Sequence, residues 1–307
     1  MANVPEISLI QQSWLLGTFD DVLANSQNFN WNIISTNNRQ TFMDGSFVLA
    51  ALLLSGNGIK AFDIVNKYNL SRFSQTVLYA LTLNIINHDF ADPLNLLKGK
   101  NIVLREPTNF YTLQSKQDEN QLYPEIKEAK RYLADLFNRF DKKTAVDFLF
   151  NETYLKNNFQ AASALAELMF GSNILNEAFI AYSKCISFNP NSAFYWGEAG
   201  RVLNNINYPV LALYFFTQAI KLDRYNAHWY FSKASAYARV LALYKKAWEI
   251  QADYKVLYGR IIWDEYSKNL NLAQNYVTNE TPIELKNSIN ILINTMGEIR
   301  KNFGLNS

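Results

Sequence analysis

The chain has 307 residues, 49% of them hydrophobic and 18% charged, with a formal net charge of +2. So even a balance supplies no basic excess of the kind that nucleic acid or an anionic membrane surface attracts. One cysteine, Cys185, excludes an intrachain disulfide framework and a cysteine metal cluster.

The length suits one large domain, two ordinary ones or an elongated array. The opening stretch, MANVPEISLIQQSW, has no basic residue, and the first is Arg39, so no secretory leader is expected. The longest apolar runs, residues 47–56 and 76–86, are about half the ~20 residues a bilayer span needs. These features predict a cytoplasmic chain without a membrane span.

Taken in order, the elements read as helices. No Asn-Gly or Asp-Gly turn separates two alternating segments, so strand signals are sparse. Residues 1–98 read as degenerate helical hairpins, with turns at Gly17 to Phe19, around Gly56 and Gly58, and around His88 to Phe90. Residues 99–123 are polar and irregular around Pro107 and form a linker or long loop. Helical periodicity resumes at Tyr123, with Pro124 suited to a first helical position and Ile126, Ala129, Tyr132, Leu133 and Leu136 on one face. Residues 124–280 read as helical repeats. Residues 281–307 read as a capping helix: Thr281, Pro282 and Glu284 form a start signal. Leu285, Ile289, Leu292, Met296, Ile299 and Phe303 then form a heptad-like seam that could instead serve a homodimer.

A shift of 34 residues aligns the chain with itself after Phe159. Leu165 falls on Ala199, Ala166 on Gly200, Met169 on Leu203, Ala178 on Ala212, Tyr182 on Phe216 and Cys185 on Ala219. Small residues at Gly200 and Ala212 let two helices approach, Phe216 and Trp196 fill the space between units, and Pro190 stops a helix. A third unit starts with Tyr230, Ala234 and Tyr237. Its second-helix pattern of Val240, Tyr244 and Ala247 comes six residues early, without Gly or Pro, which predicts one continuous helix and the end of the regular array.

This pattern resembles the tetratricopeptide repeat, a 34-residue helix pair marked by Trp-x2-Leu-Gly-x2-Tyr, Ala-x3-Phe and Pro. Residues 193–226 carry Trp196, Gly200, Ala212, Phe216 and Ala219, and depart with Ala199, Leu203 and Arg224. Residues 159–192 carry Leu165, Ala178 and Pro190 but lack the Trp. The resemblance implies an all-α, right-handed superhelical solenoid of antiparallel helix pairs with a C-terminal cap. It also implies a concave groove lined by the first helix of each unit. The matching positions are Gln160, Ser163, Glu167, Phe170, Phe194, Gly197, Arg201, Asn204, Asn205, His228, Phe231 and Ser235. Asn204 and Asn205 could bond a peptide backbone, Phe194 and Phe231 hold an apolar side chain, and Arg201 pair with an acid. The family's chaperone-tail clamp would fall on Ser163, Glu167, Glu198, His228 and Ser232. None is Lys, Arg or Asn and two are acidic, so that clamp is excluded.

Catalytic signals are few. The two histidines, His88 and His228, belong to no motif, and Gly56 and Gly58 lack the Lys and Ser/Thr of a phosphate loop. Asp20 and Asp21 suit a helix start. The Asn-x-Ser/Thr triplets at Asn69, Asn151 and Asn279 carry no weight in a cytoplasmic chain. The expectation is a non-catalytic scaffold or adaptor that binds a partner protein or extended peptide, with no cofactor, metal, nucleic acid or membrane span. One alternative is an accessory subunit of a glycan- or lipid-modifying enzyme, contacting it near Pro107. Another is an enzyme with an N-terminal site around His88 with Asp89 or Asp92.

Overall fold

The computed structural model describes residues 8–33, 39–55, 57–68, 123–250 and 252–305. The expected hairpin around His88, with Asp89 and Asp92, lies outside the described residues, as do Gly56, Asn69 and the segment around Pro107. Among the described residues all regular structure is helical.

The N-terminal part holds α1 (Leu9–Leu16), α2 (Phe19–Asn25), a 3-10 turn (Trp31–Ile33), α3 (Arg39–Leu54) and α4 (Gly58–Lys67). Ser8 caps α1 by accepting from the Gln11 amide. Gly17 ends it at φ 72°, a left-handed conformation that glycine adopts without penalty. The turn from Gly17 to Phe19 is therefore where the sequence places it.

The second part holds α5 (Pro124–Arg139), α6 (Lys142–Tyr154), α7 (Phe159–Gly171), α8 (Leu175–Phe188), α9 (Ala193–Asn205) and α10 (Pro209–Leu222). Two long helices, α11 (Ala227–Ile250) and α12 (Ala252–Asn275), and the terminal α13 (Ile283–Asn302) complete it. The pair α7–α8 recurs as α9–α10 with every helix boundary displaced by 34 residues and the same lengths of 13 and 14. The turns recur too. Asn173 and Asn207 both take positive φ, 58° and 66°. After each, the next amide, that of Ile174 or Tyr208, reaches back 2.8 Å to the carbonyl of Met169 or Leu203. Asparagine tolerates the left-handed region better than other residues with a side chain, and this closure satisfies the last helical carbonyls.

Packing follows the repeat. Each of α7 to α12 packs on the next helix. Gly200 sits beneath Phe216, where an added Cβ would lie 2.9 Å from the ring, as expected for a close helix crossing. Gly197 admits the Trp229 ring of α11 so closely that a Cβ there would meet it at 2.1 Å. Trp196 differs from expectation. It is half-buried, donates from Nε1 to the Pro190 carbonyl at 2.8 Å and packs on Phe215. The aromatic that joins the first helices of the two units is its neighbour Tyr195, whose ring meets Phe159 and whose hydroxyl donates to Ser163 Oγ at 3.0 Å.

The third unit runs as one uninterrupted helix, α11, through the position where a turn would repeat, as the missing Gly and Pro predict. The seam of α13 faces α12, with Ile289 fully buried and its other members half-buried, so the helix covers the end of the array. It starts one residue later than expected. Thr281 Oγ1 accepts from the Thr278 amide and closes the preceding turn instead of capping the helix.

Two features depart from simple stacking. The N-terminal hairpin packs against α10: Gly17 lies on Leu213, the Phe19 and Tyr214 rings are 5.0 Å apart, and Tyr214 donates to the Leu54 carbonyl. Helices α5 and α6 both pack on α7 yet scarcely touch each other. One apolar core, from Ile10 to Leu305, joins these parts.

The glycine contacts give a paired prediction. Gly197→Ala should lower stability by about 1–3 kcal/mol, because Trp229 must be displaced from a filled core. Gly297→Ala, on α13 with nothing within 4 Å of the added Cβ, should raise it by roughly 0.5–1 kcal/mol through helix propensity. Urea unfolding of the two variants checks both signs.

Candidate functional site

The structure sorts the positions of the expected groove face, on the first helices α7, α9 and α11, into three groups. Phe194, Gly197, Ser163, Glu167 and Asn204 are buried. Phe170, Arg201, His228, Phe231 and Ser235 are half-buried. Gln160 and Asn205 are exposed.

The chain itself covers one end of this face. The segment entering α5 carries Tyr123 over Phe194 and Trp229, with ring centroids 5.2 and 5.7 Å apart. Asn226 donates to the Tyr123 hydroxyl at 3.0 Å, and Ser192 donates to Glu125 Oε1 at 3.0 Å. The start of α5 thus crosses the N-terminal ends of α9 and α11. Burial pushes the Tyr123 phenol up to about 12. His228 lies beside it. Its ring is 4.8 Å from that of Trp229, and its Nε2 is sealed from solvent without a hydrogen-bond partner among the described residues. Burial, reinforced by Arg201, lowers its pKa to about 3, so the ring is neutral.

Toward the middle of the face, polar groups bond one another. Tyr182 of α8 donates to Glu167 Oε1 at 2.7 Å. Arg201 Nη1 donates to both carboxylate oxygens of Glu198 at 2.8 Å, and the guanidinium lies 5.3 Å from the Phe170 ring centroid. Arg201, expected to await an acid from a partner, thus holds one from its own chain. Burial, then the nearby Glu198, raises the Glu167 pKa to about 7. Arg239 of α11 donates to the Asn204 carbonyl, which ties the end of α9 to the next unit, while Asn204 Oδ1 is buried without a partner among the described residues.

Where α5 leaves this face a cleft opens against α7, about 210 Å³ in volume. Glu128, Arg131, Tyr132 and Asp135 line it from α5, Gln160 and Ser163 from α7. Gln160 and Ser163 were expected groove positions. The α5 residues were not, because a pattern of spacings within the repeat cannot reveal that a helix outside it lies across the face. Tyr123, Tyr182 and Trp229 were missed for a related reason: aromatic residues read as core wherever they fall. Among the described residues no group of three or more His, Cys, Asp or Glu could hold a metal ion, and no helix is long and apolar enough to cross a membrane.

Glu167 gives the site a pH signature. Its folded pKa lies above the ordinary value of 4.5. Its burial therefore costs nothing well below 4.5, costs increasingly as the pH rises from there to about 7, and levels off above that. Glu167→Gln should gain on wild type steadily as the pH rises from 5, and exceed it by about 3 kcal/mol at pH 8. His228 acts in the opposite sense, losing stability as the pH falls below 6.5 toward 3, and this loss should persist in the variant. Urea midpoints at pH 5, 6, 7 and 8 test this; a difference that does not change with pH would contradict it.

No protein-family model matches the chain, and no curated protein matches it either.

Proposed function

We propose that this chain is a non-catalytic binding scaffold, a right-handed solenoid of the tetratricopeptide type that receives a partner protein or extended peptide along its first-helix face. The observation that carries this reading is the recurrence of a whole helix pair, with its boundaries and its asparagine turn, at a displacement of 34 residues. Units of this kind cannot bury both faces alone, and stacking them produces an extended concave surface. The internal pairing of Glu167 with Tyr182 and of Glu198 with Arg201 supports a rigid face rather than reacting groups. Chemistry at such a surface would need groups poised toward a substrate.

The exposed positions on the face then become the contact points. A photo-crosslinking residue at Gln160 or Asn205, expressed in the native cells, should capture the same partner from both positions. The same residue at Lys221, exposed on the second helix α10, should not. Capture from Lys221 alone would contradict the proposal. The identity of the captured protein would also decide whether the partner is an enzyme that this chain assists.

A further inference from the structure

We propose that the cleft between α5 and α7 is a subsite for a lysine or arginine side chain of an extended peptide. The inference rests on the scaffold reading and specifies what its open end recognises. The cleft's volume, about 210 Å³, is below the ~300–1,000 Å³ of small-molecule sites. That size suits one long side chain and the backbone beside it.

The walls select a cation. Glu128, Tyr132 and Asp135 follow one another at helical spacings of four and three, so they share one face of α5. The two carboxylates therefore stand on either side of one aromatic ring. Both are exposed, and among the described residues neither has a hydrogen bond or an ion pair. Elsewhere on the binding face the acids already have partners in this chain, so these two are the acids left for a ligand. A guanidinium or ammonium over Tyr132 would meet the ring face and both carboxylates. Arg131 also lines the cleft, one positive charge against two negative ones, and opposes such a ligand.

The opposite wall supplies a second, independent indication. Ser163 is 5% exposed and lines the cleft. Its hydroxyl is bonded to that of Tyr195, which also lines the cleft, and whichever of the two donates, the pair retains one O–H without an acceptor among the described residues. A buried hydroxyl pair with one unspent donor is suited to a carbonyl oxygen from outside. The exposed amide of Gln160, one turn earlier on α7, both donates and accepts. One wall thus fits a peptide backbone and the other fits a cationic side chain.

The test uses the full chain and three labelled hexapeptides that differ only in a central Arg, Ala or Glu, with binding followed by fluorescence anisotropy. The Arg peptide should bind and the Glu peptide should not. Glu128→Gln combined with Asp135→Asn should weaken the Arg peptide about tenfold. Arg131→Ala should strengthen it, and added salt should weaken it. All three positions are exposed, and unchanged unfolding midpoints would verify that the variants fold. Equal binding of the Ala peptide, or no effect of the double variant, would overturn the cation subsite and leave the scaffold reading intact. Displacement of the Arg peptide by spermidine at equal concentration would assign the cleft to a small polycation and overturn the peptide occupant. No peptide binding tighter than about 1 mM would overturn the subsite. Capture of a partner at Gln160 in that case would still support the scaffold.

Discussion

The array depends on the absence of a side chain at two positions of α9. At Gly200 the space is taken by Phe216 of the same helix pair, and at Gly197 by Trp229 of the next unit. These two contacts set the distance from α9 to α10 and from α9 to α11. Small residues where helices cross allow close approach, and the aromatic rings that enter contribute the buried area. Tyr195 and Arg239 then tie successive first helices together by hydrogen bonds, from its hydroxyl to Ser163 and from its guanidinium to the Asn204 carbonyl. Cys185 belongs to the same packing: it lies where Ala219 lies one unit later, fully buried, and burial pushes its thiol pKa up. It acts there as a small apolar residue.

The second constraint is the path of α5. A regular unit would stack α5 against α6 and present both to α7. Instead α7 lies between them, and the start of α5 reaches across to the turns that precede α9 and α11. Tyr123 therefore closes the part of the face that holds Phe194 and His228, while the rest of α5 turns Glu128, Tyr132 and Asp135 toward Gln160 and Ser163. The same helix covers one end of the first-helix face and forms a wall of the cleft at the other. On the opposite side of the helix pairs the N-terminal hairpin occupies α10 through Gly17, Phe19 and Tyr214.

The helical class, the turn at Gly17, the length of α11 and the 34-residue pair were legible in the sequence, because each follows from local spacing. A three- and four-residue apolar period specifies a helix, and a self-match at fixed displacement specifies a recurring unit. Exposure along the first-helix face was not legible. Phe194 and Arg201 occupy positions that an isolated unit leaves open, and here Tyr123 and Glu198 meet them. These partners come from outside the motif or from a position that the motif treats as background. Trp196 illustrates the same limit on a smaller scale. Its place in the pattern is right, yet its ring reaches back to Pro190 while Tyr195 joins the units. Spacing identifies which residues belong to a unit; which of two adjacent aromatics faces the next unit is decided by the angle at which the helices meet.

The central claim is that the first-helix face is the surface on which this chain receives another protein. Hydrogen–deuterium exchange of the full chain, with and without the partner captured through Gln160, tests it most directly. The account predicts added protection along α5, at the N-terminal end of α7 around Gln160 and at the C-terminal end of α9 around Asn205, with α8 and α10 unchanged. Protection confined to α8, α10 or the N-terminal hairpin would place the partner on the opposite surface and contradict it.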